Sequence, residues 1–304
     1  MQGMRTLAFV VVLALLGAGC GGSGGDDPAT TSTTTAVTTT TTIPTTTTEP
    51  ASSIASRLQS TIDGYVGTQA VPFTVVAVDL TSGARAAHLA DRVLLSASLY
   101  KLFVAAELER RIADGALDPT GPAGDGSGRT VEQCLDAMIV VSDNPCGVAG
   151  LRIVGGGALD ASLHAAGYEG TTLGSPQQTT AADVALFLQR AHDGSLLGAG
   201  AGHLEATKHL YGLLQRQQVN DRLPTGLPPG TPIAHKTGDR RTVAHDAGII
   251  TTARGPLLLA VLSGPWPLPC CDADHPGAAE AKAFAAIAGL GRVVYEAMET
   301  SPAR

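Results

Sequence analysis

Lysine is scarce in this chain: four residues in 304 (Lys101, Lys208, Lys236 and Lys282), against sixteen arginines. The formal charge is −7 and no basic cluster occurs, which excludes the electrostatic footprint of a nucleic-acid-binding protein. Long hydrophobic runs are also missing. The longest, Leu7 to Leu16, reaches only thirteen positions with the small residues through Gly19, too few for the roughly 20 that a membrane-spanning helix needs. No cofactor motif is present, and none is expected. Cys270, Cys271, Asp272, Asp274 and His275 crowd together without zinc-ligand spacing, so they read as a polar loop and no metal is expected.

The short apolar run, preceded by Arg5, reads as an export signal over residues 1–20. Cys20 directly follows Gly17-Ala18-Gly19, which resembles a bacterial lipobox, although Gly17 stands where Leu is more usual. On that reading Cys20 is acylated and anchors an exported protein to the outer side of the cytoplasmic membrane; the alternative is ordinary signal cleavage. Residues 21–50 are Gly/Ser- and then Thr-rich, with no apolar periodicity, and are expected to be a disordered linker. Residues 51–304 then form one domain, large enough for its own core and expected to be monomeric.

Four cysteines lie beyond the signal. Export permits disulfides, and a Cys134–Cys146 bridge would bracket Ser142-Asp143-Asn144. Cys270 and Cys271 are left to form a vicinal bridge, stay reduced or pair elsewhere, since four cysteines allow three connectivities.

The apolar pattern predicts a helix from Ser52 or Ser53 to about Tyr65, then a hairpin over 72–80 and 84–89 turned at Thr81-Ser82-Gly83. Helices follow at 98–114, 131–141, 158–166, 181–192 and 202–217. Strands are expected at 231–236, 243–252 and 257–264, and a last helix at 278–299. This order suits an α+β sandwich: a five-stranded antiparallel sheet, completed from both ends of the chain, flanked by helices and joined to an all-helical lobe.

Three motifs then stand out: Ser98-Leu99-Tyr100-Lys101, Ser142-Asp143-Asn144 and Lys236-Thr237-Gly238. Two of the four lysines fall inside them. An ammonium loses its proton when desolvated, whereas a guanidinium does not, so a base at these positions has to be lysine. Ser98 at a helix start is placed to attack a carbonyl while free N–H groups face the developing charge. Lys101, one turn on, serves as its base, and Ser142 relays the proton to a leaving nitrogen. Asn144, Lys236 and Thr237 supply substrate contacts, Gly238 lets a ligand approach the strand, and the N–H groups of Ser98 and Asp239 make an oxyanion hole. Ser142-Asp143-Asn144, ahead of Pro145, reads as a turn, and Lys236-Thr237-Gly238 as the close of a strand.

In this order the motifs resemble those of the penicillin-recognising serine enzymes, class A β-lactamases and penicillin-binding proteins. The likeness extends over about residues 51–300 through Val141, Thr179-Thr180-Ala181, Leu223-Pro224, Leu227-Pro228 and the segment His245 to Ile250. It implies a β-lactamase/transpeptidase-like fold and a Ser98 acyl-enzyme acting on a β-lactam or a cell-wall peptide. The chain departs from the hydrolytic members in one respect. Their Glu-x-x-Leu-Asn segment is absent, and Leu173 to Thr180 reads Leu-Gly-Ser-Pro-Gln-Gln-Thr-Thr. Gln177 or Gln178 falls near the expected glutamate, but an amide is no base; Glu169 reads as a surface residue. Acylation is therefore expected to be intact, and deacylation to lack its base. The alternatives are a D,D-peptidase or esterase on the same scaffold, or a non-hydrolytic covalent sensor.

Overall fold

The computed structural model describes residues 49–268, 270 and 279–300. The expected signal, Cys20, the linker up to residue 48, and Cys271, Asp272, Asp274 and His275 lie outside the described residues.

Helix α1 (Ala51–Val66) buries Ile54, Leu58 and Ile62, spaced one turn apart. It starts one residue before the expected serines: Pro50 occupies the cap position and no side chain caps it. Strands β1 (Phe73–Asp79) and β2 (Arg85–His88) form the predicted hairpin. A two-residue strand β3 (Leu94–Leu95) leads through a tight 3₁₀ turn, Ala97–Leu99, into α2 (Tyr100–Ala113). The helical lobe continues with α3 (Val131–Val140), α4 (Asn144–Val154) and α5 (Asp160–Ala165). Then come β4 (Gln178–Thr179), which pairs with β3, α6 (Ala181–Asp193), α7 (His203–Gln215) and the single turn α8 (Leu223–Gly226). Strands β5 (Ile233–Arg240), β6 (Val243–Thr252) and β7 (Gly255–Ser263) precede α9 (Glu280–Glu299).

The sheet has the order β2-β1-β7-β6-β5, antiparallel throughout, as expected from the sequence. Alternation along the strands divides its side chains between two cores. Phe73, Val75 and Ala77 of β1, with Leu257, Leu259 and Val261 of β7, pack with residues of α1 and α9. Val76 and Val78, with Leu258, Ala260 and Leu262, join Leu102, Phe103, Met138 and Phe187 of the helical lobe. The central strands are thus buried on both faces, and β5 is left as the edge that meets the lobe.

Two local expectations are corrected. The expected turn at Ser142-Asp143-Asn144 is shorter than the motif: Ser142 and Asp143 turn between α3 and α4, and Asn144 already opens α4. Asp143 caps that helix by accepting from the Cys146 N–H at 2.8 Å, and Pro145 sits in the first turn, where its missing N–H costs nothing. Lys236-Thr237-Gly238 does not close its strand either, because β5 continues to Arg240.

Candidate active site

Ser98 lies in the 3₁₀ turn ahead of α2, partly exposed, while its neighbour Leu99 is fully buried and pins the turn to the core. Ala97 just before it has φ of 45°, a left-handed conformation that non-glycine residues rarely adopt. Edge strand β5 runs directly against this turn. A Cβ on Gly238 would sit 3.2 Å from the backbone nitrogens of Ser98 and Leu99 and from the Ser96 carbonyl. Only glycine lets the strand come this close without displacing the turn.

The hairpin of β5 and β6 closes with Arg240 opposite Val243 around the two-residue loop Arg241-Thr242. In such a hairpin the closing pair exchanges both hydrogen bonds and alternate pairs do not. Asp239, opposite Ala244, therefore directs its N–H away from β6, to the same side as the Ser98 turn. The Asp239 N–H and the Ser98 turn thus lie on the same side of β5.

The two motif lysines are wholly buried and meet at Ser142. Lys236 Nζ donates to Ser142 Oγ at 2.8 Å and to its neighbour's carbonyl, Thr237 O, at 2.9 Å. Lys101 Nζ donates to the Ser142 carbonyl at 2.6 Å and to Asn144 Oδ1 at 2.8 Å, with Ser142 Oγ at 3.4 Å. Among the described residues no hydrogen bond joins Lys101 to Ser98 Oγ, so the same-face spacing supplies proximity and the Ser142 loop supplies the partners. Ser142 holds a φ of 58°, the second left-handed residue at the site. A Cβ on Gly147, one turn into α4, would fall 2.5 Å from Lys101 Cε and 2.6 Å from the Tyr100 hydroxyl oxygen.

Burial sets the protonation. Desolvation lowers Lys101 from 10.5 to about 8, opposed by the nearby charges of Asp143 and Asp239. Lys236 is lowered well below 10.5, first by desolvation and then by repulsion from Lys101 and Arg222. Both ammonium groups are thus brought toward the range in which a proton can be given up near neutral pH.

Several further residues support the site, some of them, such as His235 and Arg222, without a sequence signal. His245 on β6 is buried, and desolvation pulls it from 6.5 to about 4. Its neutral ring accepts from the Ser263 N–H at Nδ1 and faces the Leu95 carbonyl with Nε2 at 2.8 Å, tying the sheet to the strand that leads into Ser98. His235 and Asp246, both buried, pair at 2.9 Å beside the Lys236 segment, and Asp246 also accepts from the Leu223 N–H. Arg222, 1 % exposed, lies over the Phe284 ring and donates to Asp239. Cys134 and Cys146 form a disulfide that joins α3 to α4 across the Ser142 loop. Cys270 is buried and disulfide-bonded, its partner lying outside the described residues.

Ser98, Tyr100, Asn144, Asp239 and Gln177 line one cavity of about 640 Å³. Asp239 is the single carboxylate among its described lining residues, and Arg222 already holds it. Gln177 lines the cavity, whereas Gln178 is paired in β4. Glu169 is exposed and lines a separate depression with Asp91 and Asp183.

A serine in the turn ahead of a helix and two desolvated lysines joined through a second serine thus stand together beside one cavity. The model of the Beta-lactamase enzyme family matches residues 54–298, and the chain belongs to that family. Its fold is similar to that of PBP-A, with a TM-score of 0.69 at 23 % identity over 80 % of this chain and 96 % of that one. An ancestral class A β-lactamase of Gram-negative bacteria gives 0.65 at 26 % identity, covering 79 % of this chain and 99 % of its own. The β-lactamase from Sphaerobacter thermophilus gives 0.67 at 21 % over 82 % and 99 %. A variant of PBP-A, 22 % identical with a TM-score of 0.69 over 80 % of this chain and 97 % of that one, was determined as an acyl-enzyme complex with penicillin G. No curated protein sequence matches the chain.

Proposed function

We propose that this chain is an exported serine enzyme that acylates itself at Ser98 with β-lactams or related cell-wall peptides and releases the β-lactam acyl group slowly. The carrying observation is a contrast around one cavity: both lysines are buried and bonded around Ser142, yet among the described lining residues the single carboxylate, Asp239, is held by Arg222.

Neutral Lys101 takes the Ser98 proton as Oγ bonds to the substrate carbonyl carbon. The N–H groups of Ser98 and Asp239 hold the oxyanion. Ser142 Oγ, bonded to Lys236, passes a proton to the ring or peptide nitrogen as the C–N bond breaks. Asn144 orients the acyl amide, and Lys236 with Thr237 holds the substrate carboxylate. Water must then cleave the Ser98 ester. A positioned base is worth about 10²–10⁴-fold in such a step, and Gln177 cannot serve as one.

The D,D-peptidase or esterase reading draws support from the same cavity, since less hindered acyl groups can be released with Lys101 acting again. Turnover of a D-Ala-D-Ala peptide and of a simple ester, measured against benzylpenicillin, separates the readings. Faster steady-state turnover of peptide or ester is expected; rapid benzylpenicillin hydrolysis with inert peptides would refute it. The proposal includes a lipid anchor at Cys20, a tether over 21–50 and a monomeric domain over 51–304. Cys20→Ser should move the protein from the membrane fraction to the soluble one. Among the described residues no helix is long and apolar enough to cross a membrane.

A further inference from the structure

One charged group beside the Ser142 loop has no part in the reaction above. Arg129 lies two residues ahead of α3 and is partly exposed. Its guanidinium bridges two carboxylates: Nε donates to Asp125 Oδ2 at 2.6 Å, and Nη2 donates to Asp143 Oδ1 at 3.1 Å. Asp125 is itself fixed. Its side chain is shut off from solvent and accepts from the Ser127 N–H at 3.1 Å and the Arg129 N–H at 3.3 Å. Asp143 Oδ1, at the other end of the bridge, also accepts the Cys146 N–H that starts α4. A planar fork of donors suits such a bridge, which a point-like ammonium would hold poorly.

Asp143 stands between the two residues that hold Lys101, Ser142 through its carbonyl and Asn144 through its side chain. Any shift of Asp143 is therefore passed to both partners of the base. Charge acts there too. The negative charges of Asp143 and Asp239 oppose the effect of burial on Lys101. The other ionisable groups facing Lys101 are Lys236 from β5 and Tyr100 from its own helix, and Lys236 in turn meets Arg222 and Asp246. On α3 and α7, which also pack against α2, Glu132 is exposed, Asp136 pairs with Arg216 and His209 pairs with Glu109. An ion pair with Arg129 offsets the charge of Asp143, whereas an unpaired Asp143 would hold the Lys101 proton more tightly.

Resting on the acyl-enzyme function above, we propose that Arg129 is a positioning residue for the Lys101 base: it ties Asp143 to the fixed Asp125 and neutralises a carboxylate beside Lys101. Arg129 is not among the described residues that line the Ser98 cavity, so it acts through Asp143.

The test is the pH profile of second-order acylation of the mature protein by benzylpenicillin. In Arg129→Gln the base keeps its proton to higher pH. The inflection should rise from about 8 by about half a pH unit, and the rate at pH 7 should fall about threefold. Above the inflection the loss should shrink. Arg152→Gln is the control. Arg152 donates to the Gly124 carbonyl of the same loop at 3.2 Å, and among the described residues it has no bond to Asp143, so its loss should leave the inflection in place. Asp143→Asn keeps an acceptor for the Cys146 N–H and loses the charge. There the inflection should fall below that of the unaltered protein, and adding Arg129→Gln should not raise it. A purely structural tie would lower the rate by one factor at every pH. An inflection unmoved in Arg129→Gln, or moved as far by Arg152→Gln, therefore overturns the role of Arg129 alone. A profile without an inflection near 8 in the unaltered protein removes Lys101 as a base of that pKa, and the role of Arg129 falls with it.

Discussion

On one side of the Ser98 cavity, built by α2, the start of α4 and β5, Lys101 and Lys236 lie buried behind the lining and are bonded to Ser142. On the other, built by Ser175, Pro176 and Gln177, the groups are neutral and partly or fully exposed. The first wall is over-determined. Lys101 and Lys236 reach Ser142 from two elements, a disulfide joins the helices on either side of that loop, and glycines at 147 and 238 leave no room for anything larger. The second wall places no free acid or base near the serine. On the proposed function, attack on a carbonyl and release of the acyl group draw on these two sides separately.

The harshest way to break the contrast is Ser98→Ala, which should abolish covalent labelling by a fluorescent penicillin. Labelling at full strength would remove Ser98 as the nucleophile. Next comes Lys101→Arg, which keeps the charge and loses the base; acylation should fall by about 10²–10⁴-fold. In the unaltered protein the acylation rate should climb about tenfold per pH unit up to about 8, where Lys101 loses its proton, and then level off. A flat profile between pH 6 and 8 would contradict a base of that pKa.

Gln177→Glu probes the opposite wall by giving it a carboxylate. Deacylation should accelerate by about tenfold or more while acylation changes little, as read from the lifetime of the adduct. An unchanged lifetime would mean that position 177 does not face the ester. The smallest effect belongs to His245. Its folded pKa of about 4 lies below the ordinary 6.5, so between those values the unfolded chain binds more protons. Stability tied to the neutral ring is present above pH 6.5 and is lost as pH falls through 4. The melting temperature should therefore drop over that window, and His245→Gln should flatten the drop.

Much of this was legible in advance, for identifiable reasons. The strands carry β-branched and Leu-rich runs between glycine turns, so the five-stranded sheet could be read from pattern alone. Lysine scarcity picked out Lys101 and Lys236. The missing Glu-x-x-Leu-Asn segment is plain in the sequence, and among the described lining residues Asp239, held by Arg222, is the single carboxylate. The errors came where one residue type has two meanings. Pro145 marks a turn in the sequence, but proline in a first turn also opens helices, and Asp143 offers the matching cap. Gly238 was taken as a strand end, whereas it is the point where a continuing strand touches the Ser98 turn. The contacts of His245, which the sequence offers only as part of a family-like segment, and those of Arg222 have no local signal. Their partners, Leu95 and Asp239, are assembled only by the fold.

Fast acylation with slow deacylation at Ser98 can be read from the lifetime of a single adduct. Residues 51–304 are mixed with benzylpenicillin and followed by intact-protein mass spectrometry over time. A single adduct on Ser98 that forms and persists for many minutes is the predicted result. An adduct that vanishes within seconds as free penicilloate accumulates would contradict the account and reveal a deacylating base elsewhere in the cavity.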